Sequence, residues 1–220
     1  MHDSSVVAAH DLRHHFADME QQRASATLGM WVFLITEIMF FGGLFTAYLV
    51  YRTTHYQAWV IGSEHMEFWI GTVNTVILLC SSLLVALAVH AAQTGESKLC
   101  AIYLWIASAM GVAFLALKGV EYYKHFLEGS VPGAFWHLQV PDPQPVQMFF
   151  YIYFVMTGLH ALHVTIGVIL LAMIGWWAAR GRYSPQYHTP VHVSGLYWHF
   201  VDVVWIFLYP LLYLIGHKKA

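Results

Sequence analysis

Five stretches of this 220-residue chain are each apolar over about the length needed to cross a bilayer. They run over residues 28–51, 68–91, 99–126, 147–178 and 196–215. A span needs about 20 mostly apolar residues. Hydrocarbon offers no partner for a backbone N–H or C=O, so a spanning segment is either a helix or part of a closed barrel. Segments of this length, without period-2 alternation, predict an all-α membrane protein with five transmembrane helices in one bundle. The third segment is apolar to residue 117 and continues as helix towards 126. The fourth is longer than a bilayer requires, so it must tilt or protrude.

Composition agrees. Hydrophobic residues make up 59% of the chain and charged residues only 10%, against about 25% charged in an average soluble domain. A formal net charge of −2 gives no basic footprint, which argues against a nucleic-acid partner. Aromatic side chains cluster near the segment ends, as in interfacial belts, with Trp31, Tyr51, Trp69, Trp176 and Trp177 among them. Cys80 and Cys100 lie in apolar stretches without CxxC spacing and read as small buried hydrophobes. Residues 1–27 are polar and carry Asp3, Asp11, Asp18 and Glu20, so they read as a tail rather than a secretory signal. Its histidines (His2, His10, His14, His15) have no paired spacing that suggests a metal site. Residues 127–146 form a connector punctuated by Pro132, Pro141, Pro143 and Pro145. Positive charge divides equally between the two sides of a five-span arrangement, so it assigns no orientation.

Function is most legible in the polar residues that these segments retain. Ionisable groups at membrane depth are costly, and chains that keep them tend to use them. Glu37 falls about nine residues into the first segment, roughly 14 Å along a helix axis and near mid-bilayer. It reads either as a proton-active, reagent-accessible carboxyl or as a neutral glutamate bonded to a neighbouring helix. Asn74 and Thr75 in the second segment read as interhelical hydrogen-bonding groups. Lys118 and Glu121, at i and i+3, form a local pair if the third helix continues, or an ordinary interfacial lysine and glutamate if it stops. If it continues, Glu121 comes within reach of His160 or His163. Those two histidines share a face of the fourth segment, and His199 and Asp202 share a face of the fifth. Histidines on two spans could ligate a haem. The alternative is that Glu37, Glu121 and Asp202 serve as their partners. Neither HExxH nor the paired Glu-x-x-His pattern of a di-iron bundle is present.

These residues also carry a resemblance. The stretches are Thr36-Glu-Ile-Met-Phe-Phe-Gly42, Asn74-Thr-Val-Ile-Leu and Glu121-Tyr-Tyr. They are followed by Thr157-Gly-Leu-His-Ala-Leu-His-Val-Thr-Ile-Gly167 and Tyr197-Trp-His-Phe-Val-Asp-Val-Val-Trp-Ile-Phe-Leu-Tyr209. In content and order they resemble subunit III of the haem–copper terminal oxidases, over nearly all of the chain beyond residue 27. The long form of that family has seven spans, and this chain matches the last five.

The resemblance implies a non-catalytic core subunit of a proton-pumping respiratory oxidase that reduces dioxygen to water. It implies contact mainly with subunit I, with subunit II, small subunits or a supercomplex nearby. It implies haem and copper in those partners and none bound by this chain, together with structural phospholipids. The expected role is to support stability and proton uptake of subunit I. The expected location is the bacterial inner membrane, N-terminus cytoplasmic and C-terminus outside. Glu37 matches the family's buried, carbodiimide-reactive carboxyl. Asn74, Glu121, His160, His163, His199 and Asp202 match positions of its interhelical polar network. Quinol oxidases and some nitric oxide reductases carry related subunits, so the electron donor stays open.

Overall fold

The computed structural model describes residues 16–216. Among the described residues there are six helices: α1 (Met19–Thr54), α2 (Tyr56–Glu64), α3 (Phe68–Thr94), α4 (Ser97–Leu127), α5 (Pro143–Ala179) and α6 (Thr189–Tyr213). Five of them are long and apolar enough to cross a membrane, and α2 is a short connector. The five long helices overlap the five expected segments; most extend beyond them, while α6 begins earlier, at Thr189, and ends at Tyr213, short of residue 215. α1 starts inside the polar tail, and α4 continues through the Lys118–Glu121 region to Leu127. The histidines of the extreme N-terminus lie outside the described residues.

Helix ends follow local chemistry. The Asp18 carboxylate accepts the Gln21 N–H at 2.7 Å and caps α1. Gly95, at φ 86°, takes the left-handed conformation that ends α3, and the Glu96 N–H returns to the Ala91 carbonyl at 2.8 Å. Pro143 opens α5 and Pro190 opens α6, where a missing N–H costs nothing. α5, at 37 residues, spans roughly 55 Å, so it projects beyond the ~30 Å hydrocarbon layer. At its far end Arg180 lies 4.4 Å over the Trp176 ring, an interfacial cation on an aromatic anchor.

Helices α3, α4, α5 and α6 form a four-helix ring in which each packs on its neighbours. α1 leans on α6 and touches α5, with α2 folded back against α5. The most apolar part of α1 is only 11% buried, against 33–50% for the other spans. One face of α1 therefore meets the bundle and the rest faces the surroundings. Tyr48 fixes that face by donating its hydroxyl to the Leu211 carbonyl, beside Pro210.

Close packing inside the ring depends on small residues, because lipid tails compete equally for apolar side chains. The indole of Trp198 on α6 lies across Gly111 of α4 and Gly167 of α5. Its N–H donates to Ser81 on α3 at 3.1 Å. A Cβ added at Gly167 would come within 2.7 Å of that ring.

Candidate functional site in the membrane-embedded polar groups

Glu37 on α1 meets His163 on α5, with 3.1 Å between Oε2 and Nε2. The other ring nitrogen, Nδ1, contacts the Leu159 carbonyl at 2.8 Å, and a carbonyl can only accept. Nδ1 therefore carries a proton. A single further proton lies between Nε2 and the carboxyl, on one or the other. The pair is enclosed but not sealed, with side-chain exposures of 19% for Glu37 and 13% for His163. Phe41, one turn from Glu37, packs edge-on against the His163 ring at 5.2 Å. Beyond Phe41 opens an apolar groove between α1 and α6, about 420 Å³, lined by Ile38, Phe45, Phe200 and Phe207 among others.

The second group is a charged cage. Lys118 on α4 is 3% exposed, and Glu121, one turn on, is 0% exposed. Their charges meet at 3.1 Å. The ammonium also donates to Tyr153 of α5 at 3.1 Å and Tyr213 of α6 at 2.7 Å. Both phenols donate to the second carboxylate oxygen, at 2.7 and 2.6 Å. All three ammonium protons are used, and the carboxylate receives bonds at both oxygens. This arrangement is what a buried ion pair needs to offset its desolvation. It joins α4, α5 and α6 at one level. Next to it, Tyr122 bonds Thr157 at 2.6 Å. Near the helix end an exposed ion pair, Lys124 to Glu67 at 2.8 Å, ties α4 to the start of α3.

The remaining groups stand apart. His199 bonds Ser82 of α3 at 2.7 Å. Asp202 is 3% exposed, and its carboxyl lies against the same Ser82 hydroxyl. Asn74 and His160 are enclosed, and their side chains bond directly to no group among the described residues. His160 stacks on Trp205 at 5.1 Å.

These placements revise the expected pairings. Of the expected partnerships, Glu37–His163 and the local Lys118–Glu121 pair are found. Glu121 does not reach His160 or His163, because Lys118, Tyr153 and Tyr213 saturate it within its own layer. His199 turns to Ser82 rather than to a carboxylate. Tyr153 and Tyr213 are the residues that sequence reasoning left out of the site. Tyr153 and Tyr213 sit among so many aromatic residues that their composition gave no warning. Among the described residues, no three His, Cys, Asp or Glu side chains converge as a metal-binding group.

Comparison with known proteins places this arrangement in a family. The family profile described as cytochrome c oxidase subunit III matches residues 8–217. Cytochrome c oxidase subunit 3 of Thermostichus vulcanus is 38% identical over 189 residues, covering 86% of this chain and 86% of that protein. The corresponding subunit of Synechocystis sp. is 36% identical, covering 85% of this chain and 74% of its own length. Quinol oxidase subunit 3 of Bacillus subtilis is 32% identical over 205 residues, covering 91% and 93%. With the family profile spanning almost the whole chain and relatives aligned along most of their length, this five-span protein belongs to the cytochrome c oxidase subunit III family.

Proposed function

We propose that the chain is a non-catalytic subunit of a proton-pumping terminal oxidase. In this reading it packs against the catalytic subunit I, with subunit II in the same complex. Haem and copper reside in those partners, and phospholipids cover the apolar faces. It resides in the bacterial inner membrane with its N-terminus on the cytoplasmic side. Its work is to hold subunit I in a stable form and to support proton uptake during reduction of dioxygen to water.

The observation that carries this reading is the Glu37–His163 pair. It joins a carboxyl on α1 to an imidazole on α5 at 3.1 Å and stays partly open at the bundle's edge. Among the described residues, Lys118 and Glu121 are by contrast enclosed within the bundle. Relatives bear the names of both cytochrome c and quinol oxidases, so the electron donor follows from the partner subunits. The test is affinity purification in mild detergent, followed by mass spectrometry and a reduced-minus-oxidised spectrum. Co-purification with a large haem–copper subunit that accounts for all haem supports the proposal. Haem retained on this chain after its partners are stripped overturns it.

Glu37→Gln is expected to leave assembly nearly intact. Glutamine matches the shape of glutamic acid, and its amide donates to His163 Nε2. Labelling by a lipid-soluble carbodiimide should disappear with the carboxyl. Loss of the subunit from the purified complex would show that the pair is structural.

A further inference from the structure

A small cavity lies at one end of the bundle, where α1 begins, α3 ends and α6 begins. Its volume is about 170 Å³, and it is lined by Arg23 and Thr27 of α1, Gln93 of α3, and His188, Thr189 and His192 at the start of α6. The sequence fixes its depth. Thr27 immediately precedes the first apolar segment, and Gln93 follows the second. The cavity therefore sits at the level where hydrocarbon gives way to lipid headgroups and water.

Every side chain in that lining can donate a hydrogen bond, and none is acidic. The titratable groups that act on His192 are His188 and Arg23, with no carboxylate among them. His188 is 7% exposed. Its Nδ1 meets the Pro185 carbonyl at 2.8 Å, so that nitrogen carries a proton. Its Nε2 faces the Arg23 guanidinium at 3.5 Å, the outer limit of a hydrogen bond. Among the described residues Arg23 makes no other hydrogen bond and no ion pair, although a guanidinium presents five donors. Lys124, at the opposite end of the bundle, has its counter-charge in Glu67. The start of α6 adds to the imbalance. No side chain caps it and its first turn holds no acidic residue, so the positive end of the helix is not neutralised.

We propose that this cavity binds a phosphate group, with Arg23, His188 and His192 supplying the charge and Thr27, Gln93 and Thr189 the neutral donors. A phosphate offers more acceptor oxygens than a carboxylate, which suits donors that arrive from three helices. The planar fork of an arginine matches it in geometry. Seated there, the anion becomes a shared acceptor for α1, α3 and α6 and draws Arg23 away from its long contact with His188. The phosphate belongs either to a phospholipid headgroup, whose depth the cavity shares, or to free phosphate in the adjoining water. The site is separate from the Glu37–His163 pair, since Glu37 lies roughly 20 Å further along α1. It rests on this chain's own side chains and not on the oxidase reading.

The test is thermal melting of the protein purified in mild detergent with the subunits that accompany it, after bound lipid has been exchanged for detergent. The probes are inorganic phosphate, dioleoyl phosphatidylglycerol in mixed micelles, and dioleoyl glycerol as the same lipid without its phosphate. A saturable rise in melting temperature is expected with a phosphate-bearing probe and not with dioleoyl glycerol. A rise with the phospholipid alone identifies a headgroup site, and a rise with inorganic phosphate identifies a free-anion site. Arg23→Gln, at an exposed position, should raise the half-saturating concentration about tenfold or more, as expected for losing a hydrogen bond between charged groups. Gln93→Glu keeps the side-chain shape, places a carboxylate in the cavity and should abolish the response. No rise with either phosphate-bearing probe, an equal rise with dioleoyl glycerol, or a response that either variant leaves unchanged would overturn the proposal. Arg23 and His188 would then be a plain tie between α1 and α6.

Discussion

Glu121→Leu is expected to be among the most damaging single substitutions in this chain. It removes the counter-charge of a lysine that is 3% exposed and takes the acceptor away from two phenols at once. Breaking a buried ion pair on one side costs about 3–5 kcal/mol. At about 1.4 kcal/mol per factor of ten, the folded bundle would lose roughly two to three and a half orders of magnitude in its stability constant. The readout is the melting temperature of the purified complex and retention of the subunit in detergent. Lys118→Met should be milder. Glu121 then keeps both phenol bonds, from Tyr153 and Tyr213. The double variant Lys118→Met/Glu121→Leu should recover much of the loss, since an apolar pair of similar volume removes the stranded charge. A double variant as unstable as the sum of its singles would mean that the cage contributes through shape rather than charge. Lys124→Ala is the control. Its exposed pair with Glu67 lies in solvent and is screened, so no measurable change is expected.

Most of the fold was legible because lipid leaves few alternatives. Segment length and apolarity gave five helices, and the capping residues Asp18, Gly95 and Pro143 punctuate them where local rules place such residues. The ends were less legible. α1 runs into a polar segment and α4 runs past Lys118, since a helix does not stop at the hydrocarbon boundary merely because its composition changes. At the site, sequence spacing named which polar residues lie within the membrane, but pairing depends on rotation and depth. Glu37 and His163 meet because α1 crosses α5 at that height. Glu121 and His160 do not pair, because Lys118, Tyr153 and Tyr213 take up the carboxylate while Phe114 and Trp205 pack on the imidazole. The α1–α6 groove was beyond sequence reading, because apolar residues facing lipid and apolar residues facing a neighbouring helix look the same in a hydrophobic run.

Trp198 is where packing, rather than charge, holds the ring together, and it carries the other large expected effect. Its indole touches three helices at once: Gly111 on α4, Gly167 on α5 and the Ser81 hydroxyl on α3. A side chain at either glycine has nowhere to go. A Cβ at Gly111 would fall 2.5 Å from Val168 and 2.8 Å from the indole; one at Gly167 would fall 2.7 Å from the same ring. The ring is rigid and bonded at its N–H, so it cannot yield as a flexible chain would. Gly167→Ala should therefore cost about 1–3 kcal/mol, the usual range for overpacking a tight core. Trp198→Ala should cost about 3–5 kcal/mol by leaving a cavity and orphaning the Ser81 contact. The decisive comparison is Gly167→Ala with Trp198→Phe, whose smaller ring withdraws from the glycine slot. If the slot exists to admit the indole, the two losses overlap, and the double variant melts above the value their sum gives. Full additivity would show that Gly167 serves the backbone of α5 and not the tryptophan.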